Sequence, residues 1–310
     1  MALLIARRLA AMAATMLVVS LLVFALLELS PGSVATKVLG PYSTDEQRQL
    51  WLEAHGYTRP FAERYLAWLG AFAKGELGES LRFKAPVADV LWPRLANTAI
   101  LGLATFALLV PLSVALGVLA GMREGSRLDR TISIVSVLTT SVPEYASAVV
   151  LSALLVFGLA LLPGTSTMSE GFDWSELVLP VSVLVLYDLG YVARMTRASM
   201  VEVMTAPYIR TAVLKGLKGR QVVVRHALRN ALLAPFTVIL LQVNWLLSGV
   251  IVVEFFFSYK GFGALLLEAS LNQDVYLIEA CAMVAVFVAV GTQAIGDVAY
   301  SFLNPRIRFA

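Results

Sequence analysis

The stretch Ala206–Leu233 reads APYIRTAVLKGLKGRQVVVRHALRNALL and lies between two long apolar segments. It carries six basic side chains, Arg210, Lys215, Lys218, Arg220, Arg225 and Arg229, and no acidic one; the nearest acid upstream is Glu202. Lys and Arg gathered between membrane spans fix a loop on the cytoplasmic side. Its internal order predicts more than a charged linker. Pro207 suits a first helical position, Tyr208 to Lys215 is long enough for about two turns, and Gly216 is a natural helix stop. A short helix, a tight turn and a second helix should therefore project from the membrane.

Outward from this loop the chain is dominated by apolar runs. It is 59% hydrophobic and 15% charged, which is no soluble globular composition. About 20 apolar residues cross a bilayer core. By that measure six spans are expected, near 9–29, 97–121, 131–161, 177–199, 233–256 and 277–302. Connecting charges alternate. Arg7-Arg8, the 122–130 loop with Arg123, Arg127 and Arg130, the 200–232 loop and the tail with Arg306 and Arg308 read as inside. The 162–176 loop, with Glu170, Asp173 and Glu176, and the mixed 257–276 loop, with Lys260, Glu268 and Asp274, read as outside. Both termini then lie in the cytoplasm.

The first apolar run, with Arg7-Arg8 before it and Ser33-Val34-Ala35 after it, imitates a secretory signal. It exceeds the usual h-region of about 7–15 residues, so a retained span is expected. The long 30–96 connection is read as an external domain, separate from the 1–29 span and the 97–310 core, whose cytoplasmic loop covers 204–232. Within it Phe61, Tyr65, Trp68, Leu69 and Phe72 recur at helical spacing. That stripe serves either packing inside the external domain or reception of an external partner, or both.

Catalytic signatures are scarce. The histidines are His55 and His226, and the single cysteine, Cys281, lies in an apolar run as a buried structural thiol. No HExxH, GxSxG or metal-spaced Cys/His cluster occurs, and no GxxxxGK[ST] loop that would hold ATP. Basic residues without aromatic interleaving exclude nucleic-acid binding. An enzyme is not expected, and no cofactor is expected on this chain.

The acids inside apolar runs are Glu28, Glu144, Asp188, Glu254 and Asp297. A charge at the bilayer centre costs about 2.5–3.5 kcal/mol on insertion scales, so such groups face a cavity or a partner. Asp188 is the deepest, and Glu144 follows Pro143 where a mid-span kink is expected. Glu28 and Glu254 are expected to reach water at external ends. Asp297 is placed to pair with Arg306 or with a base from the loops. Glu144, Asp188 and Glu254 are the candidates for lining a translocation path; the alternative is structural pairing with Arg194, Arg197 or another subunit. Arg194 and Arg197 share a helix face at a cytoplasmic end, where membrane anchoring is the plainer role.

The loop resembles the cytoplasmic "EAA" loop of the membrane subunits of ATP-driven (ABC) importers. That pattern runs Glu-Ala-Ala, three residues, Gly, then an apolar-Pro step. Ala212, Gly216 and Pro235 keep its register, Arg210 replaces its Glu, and Ala234 is one residue more than the pattern has. YIRTA-x-x-KG and RHALRNALL match the dipeptide/oligopeptide branch closely. The likeness extends from ELSPGS (28–33) through LGESLRFKAPVADVLWPRLANTAIL (77–101), VARMTRASMVEVM (192–204) and SGVIVVEFFFSYKGFG (248–263) to DVAYSFLNPRIR (297–308). The chain thus resembles a B-type permease subunit of the dipeptide/oligopeptide/nickel importer group. The family's Gly-Asp-Pro, Trp-Pro-Gly and Asp-Tyr-Pro become Gly32-Ser33-Val34, Tyr259-Lys260-Gly261 and Asp274-Val275-Tyr276, all on the side where substrate arrives.

The resemblance implies an all-α integral membrane protein of type I ABC importer permease architecture in a bacterial or archaeal inner membrane. A second, C-type permease would complete the path as a heterodimer. Two ATPase subunits carrying ATP-Mg and an external substrate-binding protein would complete the machine. ATPase docking would fall to Tyr208, Arg210, Ala212, Leu214 and Gly216. Peptides or peptide-like small solutes would be the cargo. The rival is an ion-coupled secondary transporter using Asp188 and Glu144; its usual mark, an internal repeat, is not found in the sequence.

Overall fold

The computed structural model describes residues 2–29, 34–40, 42–169 and 171–303. Ser33, Glu170, Arg306 and Arg308, and the side chains of Glu28 and Asp297, lie outside the described set. In chain order the elements are α1 (Ala2–Leu29), α2 (Val34–Leu39), α3 (Asp45–Ala54), α4 (Phe61–Ala73), β1 (Glu79–Ser80), β2 (Ala85–Pro86), α5 (Val87–Gly121), α6 (Arg127–Ser141) and α7 (Glu144–Ser152). A wide π turn, Ala153–Gly158, prolongs α7. Then come α8 (Trp174–Met204), α9 (Pro207–Leu214), α10 (Gly219–Gln221), a second π turn (Val222–Ala227), α11 (Leu228–Ala231), α12 (Leu233–Phe256), α13 (Phe262–Leu271) and α14 (Val275–Leu303). The fold is helical, with one amendment to the all-α expectation: β1 and β2 form a two-residue antiparallel hairpin.

Among the described residues four helices are long and apolar enough to cross a membrane, within α1, α5, α8 and α14. Two bent helix pairs bring the number to as many as six. One of them turns the kink expected within the 131–161 span into a full break. The axes of Arg127–Ser141 and Glu144–Gly158 diverge by 100°. Proline disfavours helical geometry in the residue before it. Val142 is accordingly extended, and Pro143 stands as the N-cap of α7. The proline ends one helix and starts another instead of kinking a continuous one. The second expected span also begins earlier than residue 97: α5 has 35 residues, about 52 Å at 1.5 Å per residue.

The chain divides into two compact units, 1–97 with 261–294, and 98–260 with 295–310. In the first, the aromatic stripe of α4 packs on α1. Phe24 meets the rings of Phe61, Tyr65 and Trp68 at 5.5, 5.7 and 5.5 Å, and Tyr65 Oη is 2.8 Å from Ser20 Oγ. The core of this unit gathers Val87, Leu91, Phe262, Leu265, Leu277 and Cys281, so the lone thiol is buried as expected. Asp274, read from sequence as one charge of a mixed loop, is fully buried. It accepts from Ser80 Oγ at 2.6 Å, from Arg82 N–H at 3.1 Å and from Leu277 N–H at 3.3 Å, joining the hairpin turn to the start of α14.

The second unit is organised around α8, whose buried residues include Leu177, Leu179, Val183, Leu184 and Val192. Asp173 starts the helix by accepting from Ser175 N–H at 2.8 Å, and the Ser175 donors hold its carboxyl below the usual range. Several helix approaches are close enough to require glycine. A Cβ on Gly117 would sit 2.4 Å from Thr196 Cβ and 2.5 Å from the Ala193 carbonyl oxygen; one on Gly190 would sit 2.2 Å from the Ser136 carbonyl oxygen. Gly117 and Gly121 are four residues apart, the spacing that lets membrane helices approach.

Candidate functional site

The basic loop folds as its sequence predicts. Ala206 is the N-cap of α9, and Pro207 occupies the first turn, where its missing N–H costs nothing. At the other end Gly216 takes φ +77°. Gly216 N–H donates to the Val213 carbonyl at 2.9 Å and Leu217 N–H to the Ala212 carbonyl at 3.4 Å, the paired bonds of a Schellman stop. The chain then turns back through α10, the π turn and α11.

A small core holds the loop together. Ile209, Ala212, Val222, Val223, Ala227 and Ala231 pack with Met200 of α8. Ala212, expected on the docking surface, is only 5% exposed: its methyl belongs to this core, and the outward face falls to its neighbours. Leu214 is 80% exposed, with Tyr208, Val213 and Val224 also outward. Arg210, Lys215, Lys218, Arg220, Arg225 and Arg229 of the same loop are all exposed. Asn230 donates to Tyr208 Oη at 3.0 Å, fixing that ring while leaving it accessible. Exposed apolar and basic side chains on one loop suit a partner surface that offers apolar and acidic groups.

The intramembrane carboxylates separate into different environments. Glu254 corrects the expectation that it reaches water: it is 0% exposed, and Thr98 Oγ1 donates to its Oε1 at 2.5 Å. Glu144 is half-buried at the first residue of α7. Asp188 is 2% exposed near the middle of α8. Gln242 of α12 donates to its Oδ1, and its Oδ2 has no hydrogen-bond partner among the described residues. Asp188, Gln242, Thr140, Tyr187, Tyr191 and Arg194 line a pocket of about 220 Å³.

Neither arginine pairs with Asp188. Arg194 Nη2 reaches Thr140 Oγ1 at 3.4 Å. Arg197 instead grips Asp129, which also accepts from Gly125 N–H at 2.9 Å. Asp129, Gln242 and Thr98 were not singled out in the sequence. Asp129 had a local signal, an acid three residues after the N-cap Ser126. Gln242 had only its polarity in an apolar run. Among the described residues no three His, Cys, Asp or Glu side chains come together to hold a metal.

Residues 113–309 match the family described as the binding-protein-dependent transport system inner membrane component. The chain belongs to this family. It is a multi-pass membrane permease, and whole-length relatives agree. It is 31% identical to the oligopeptide transport system permease protein AppB of Bacillus subtilis (strain 168), over 94% of each chain. It is 32% identical to the di/tripeptide transport system permease protein DppB of Pseudomonas aeruginosa (strain UCBPP-PA14), over 98% of each. The permease therefore resembles peptide-transport subunits from end to end, with the basic loop inside the matched family region.

Proposed function

We propose that this permease is one half of the translocation path of an ATP-driven importer for peptides or peptide-like small solutes, in a bacterial or archaeal inner membrane. Six spans with both termini cytoplasmic, and an external domain over 30–96, accord with the loop charges. A C-type permease would complete a heterodimeric path. Two ATPase subunits holding ATP-Mg would sit beneath, and an external binding protein would deliver cargo. The observation that carries this reading is the 206–233 loop: a capped helix presenting Tyr208, Val213 and Leu214 on a loop whose six bases are all exposed. Such a rigid knob can pass closure of an ATPase pair to the spans as rigid-body movement. Asp188 and Glu144 are the carboxylates assigned to the path, whereas the burial of Glu254 against Thr98 favours a structural role for it.

Gentle purification of the chain from its own membrane, with mass spectrometry of what accompanies it, tests the assembly. A second permease, ATPases and a binding protein are expected. The ion-coupled alternative rests on the same Asp188 and Glu144. Uptake that stops when the proton gradient is collapsed at constant ATP would favour it and remove the importer reading.

A further inference from the structure

The pocket on α8 is lined by one acid and one base. Asp188 and Arg194 both line it and are six residues apart on one helix, about 9 Å along the axis. The Tyr187 and Tyr191 rings lie on the same helix between and beside them, and such faces attract ammonium groups. The Gln242 amide occupies one oxygen of Asp188, while the other oxygen has no hydrogen-bond partner among the described residues. A neutral amide brings the carboxylate no compensating charge, whereas an ammonium brings a full opposite charge and three donors. The Glu144 carboxyl lies within electrostatic reach and adds to the negative potential. A bare metal cation would meet the Arg194 guanidinium in the same small space. A solute with separated positive and negative ends satisfies both groups. A pocket of about 220 Å³ limits that solute to a small one.

We infer that this pocket is a recognition site for small zwitterionic peptides, with Asp188 taking the free amino terminus, in place of the Gln242 amide, and Arg194 facing the carboxylate. The inference rests on the importer reading, in which this part of the permease meets cargo on its way through.

The test uses the whole transporter complex in lipid nanodiscs without its binding protein, so that selectivity upstream does not intervene. Alanyl-alanine, N-acetyl-alanyl-alanine and alanyl-alanine amide are titrated by saturation-transfer NMR. Alanyl-alanine is expected to bind at least tenfold more tightly than its N-acetyl form, and Asp188→Asn is expected to remove that preference. Arg194→Gln should erase the preference for alanyl-alanine over its amide while leaving the penalty for N-acetylation. This second variant keeps its own readout if Asp188→Asn does not assemble. Equal binding of the N-acetyl form, unchanged binding by Asp188→Asn, or no binding of any of the three overturns the inference. So does loss of binding in sodium chloride but not in choline chloride of equal ionic strength, which would make the pocket an ion site. ATP-dependent import with the binding protein present is measured separately. Intact import without pocket binding removes the pocket alone, whereas absent ATP-dependent import removes the importer reading.

Discussion

Arg197 closes on Asp129 with two parallel bonds, Nε to Oδ1 at 2.5 Å and Nη2 to Oδ2 at 2.7 Å. The pair joins the start of α6 to the last third of α8, and the Asp129 side chain is only 4% exposed. Removing one partner of a buried pair leaves an uncompensated charge and costs about 3–5 kcal/mol. Arg197→Ala should therefore lower the thermal unfolding midpoint of the complex sharply. The double variant Arg197→Met with Asp129→Leu should recover much of the loss. A double-mutant cycle in detergent from Arg197→Met, Asp129→Leu and the two together measures the coupling, and additive single effects would contradict it.

Gly117 separates steric need from conformational need. Alanine there would place its Cβ within 2.5 Å of the Ala193 carbonyl oxygen, a backbone atom that cannot swing aside. Gly117→Ala is expected to force α5 and α8 apart, and Gly117→Leu to prevent assembly. Gly70, in α4, has nothing within 4 Å of the same position. Gly70→Ala should stabilise by up to about 1 kcal/mol through helix propensity. The opposite signs are read from the yield and melting of folded chain by fluorescence-detected gel filtration.

How much of this was legible in advance depended on how local each cause is. Pro207 and Gly216 announce the ends of α9 because capping is decided within a few residues. The aromatic spacing in 61–72 announced a packed helix face for the same reason. Pro143 was visible as a perturbation, but whether it bends a span by a little or by 100° depends on what packs on either side. The burial of Glu254 is not legible, because distance from a span's end says nothing about which face turns inward. Gly117 and Gly121 carry a four-residue signal that is local and readable in the sequence. Asp129 with Arg197, and Asp188 with Gln242, join residues 68 and 54 positions apart, and only the packing of α8 brings them together.

Gly216 tests coupling through backbone geometry. Its φ of +77° is a left-handed conformation, yet the space around its missing Cβ is open. The constraint is thus the backbone angle, which Asn tolerates and β-branched residues do not. Gly216→Asn should keep near-normal ATP-coupled uptake. Gly216→Val and Gly216→Trp should lower uptake severalfold or more while leaving membrane insertion and melting nearly unchanged. Parallel assays of uptake and ATPase rate check this. Wild-type uptake by Gly216→Trp at normal expression would falsify a coupling role for the turn.

Asp274 is the corresponding joint in the 1–97 and 261–294 unit. Three donors converge on it: Ser80 Oγ, Arg82 N–H and Leu277 N–H. Asp274→Ala strands them all, and each unsatisfied buried group costs about 1–3 kcal/mol. Because Ser80 Oγ also accepts from Phe83 N–H at 3.1 Å, loss of the carboxylate should loosen the whole 80–84 turn, not a single bond. Asp274→Asn can keep an acceptor for the α14 start but turns its amide N–H₂ toward at least one donor, so an intermediate loss is expected. Hydrogen exchange of the Arg82 and Leu277 amides is the direct measurement. Exchange should quicken at both in Asp274→Ala, with the basic loop at 206–233 unaffected. Quickening at Leu277 alone would mean the carboxylate only caps α14 and does not hold the hairpin.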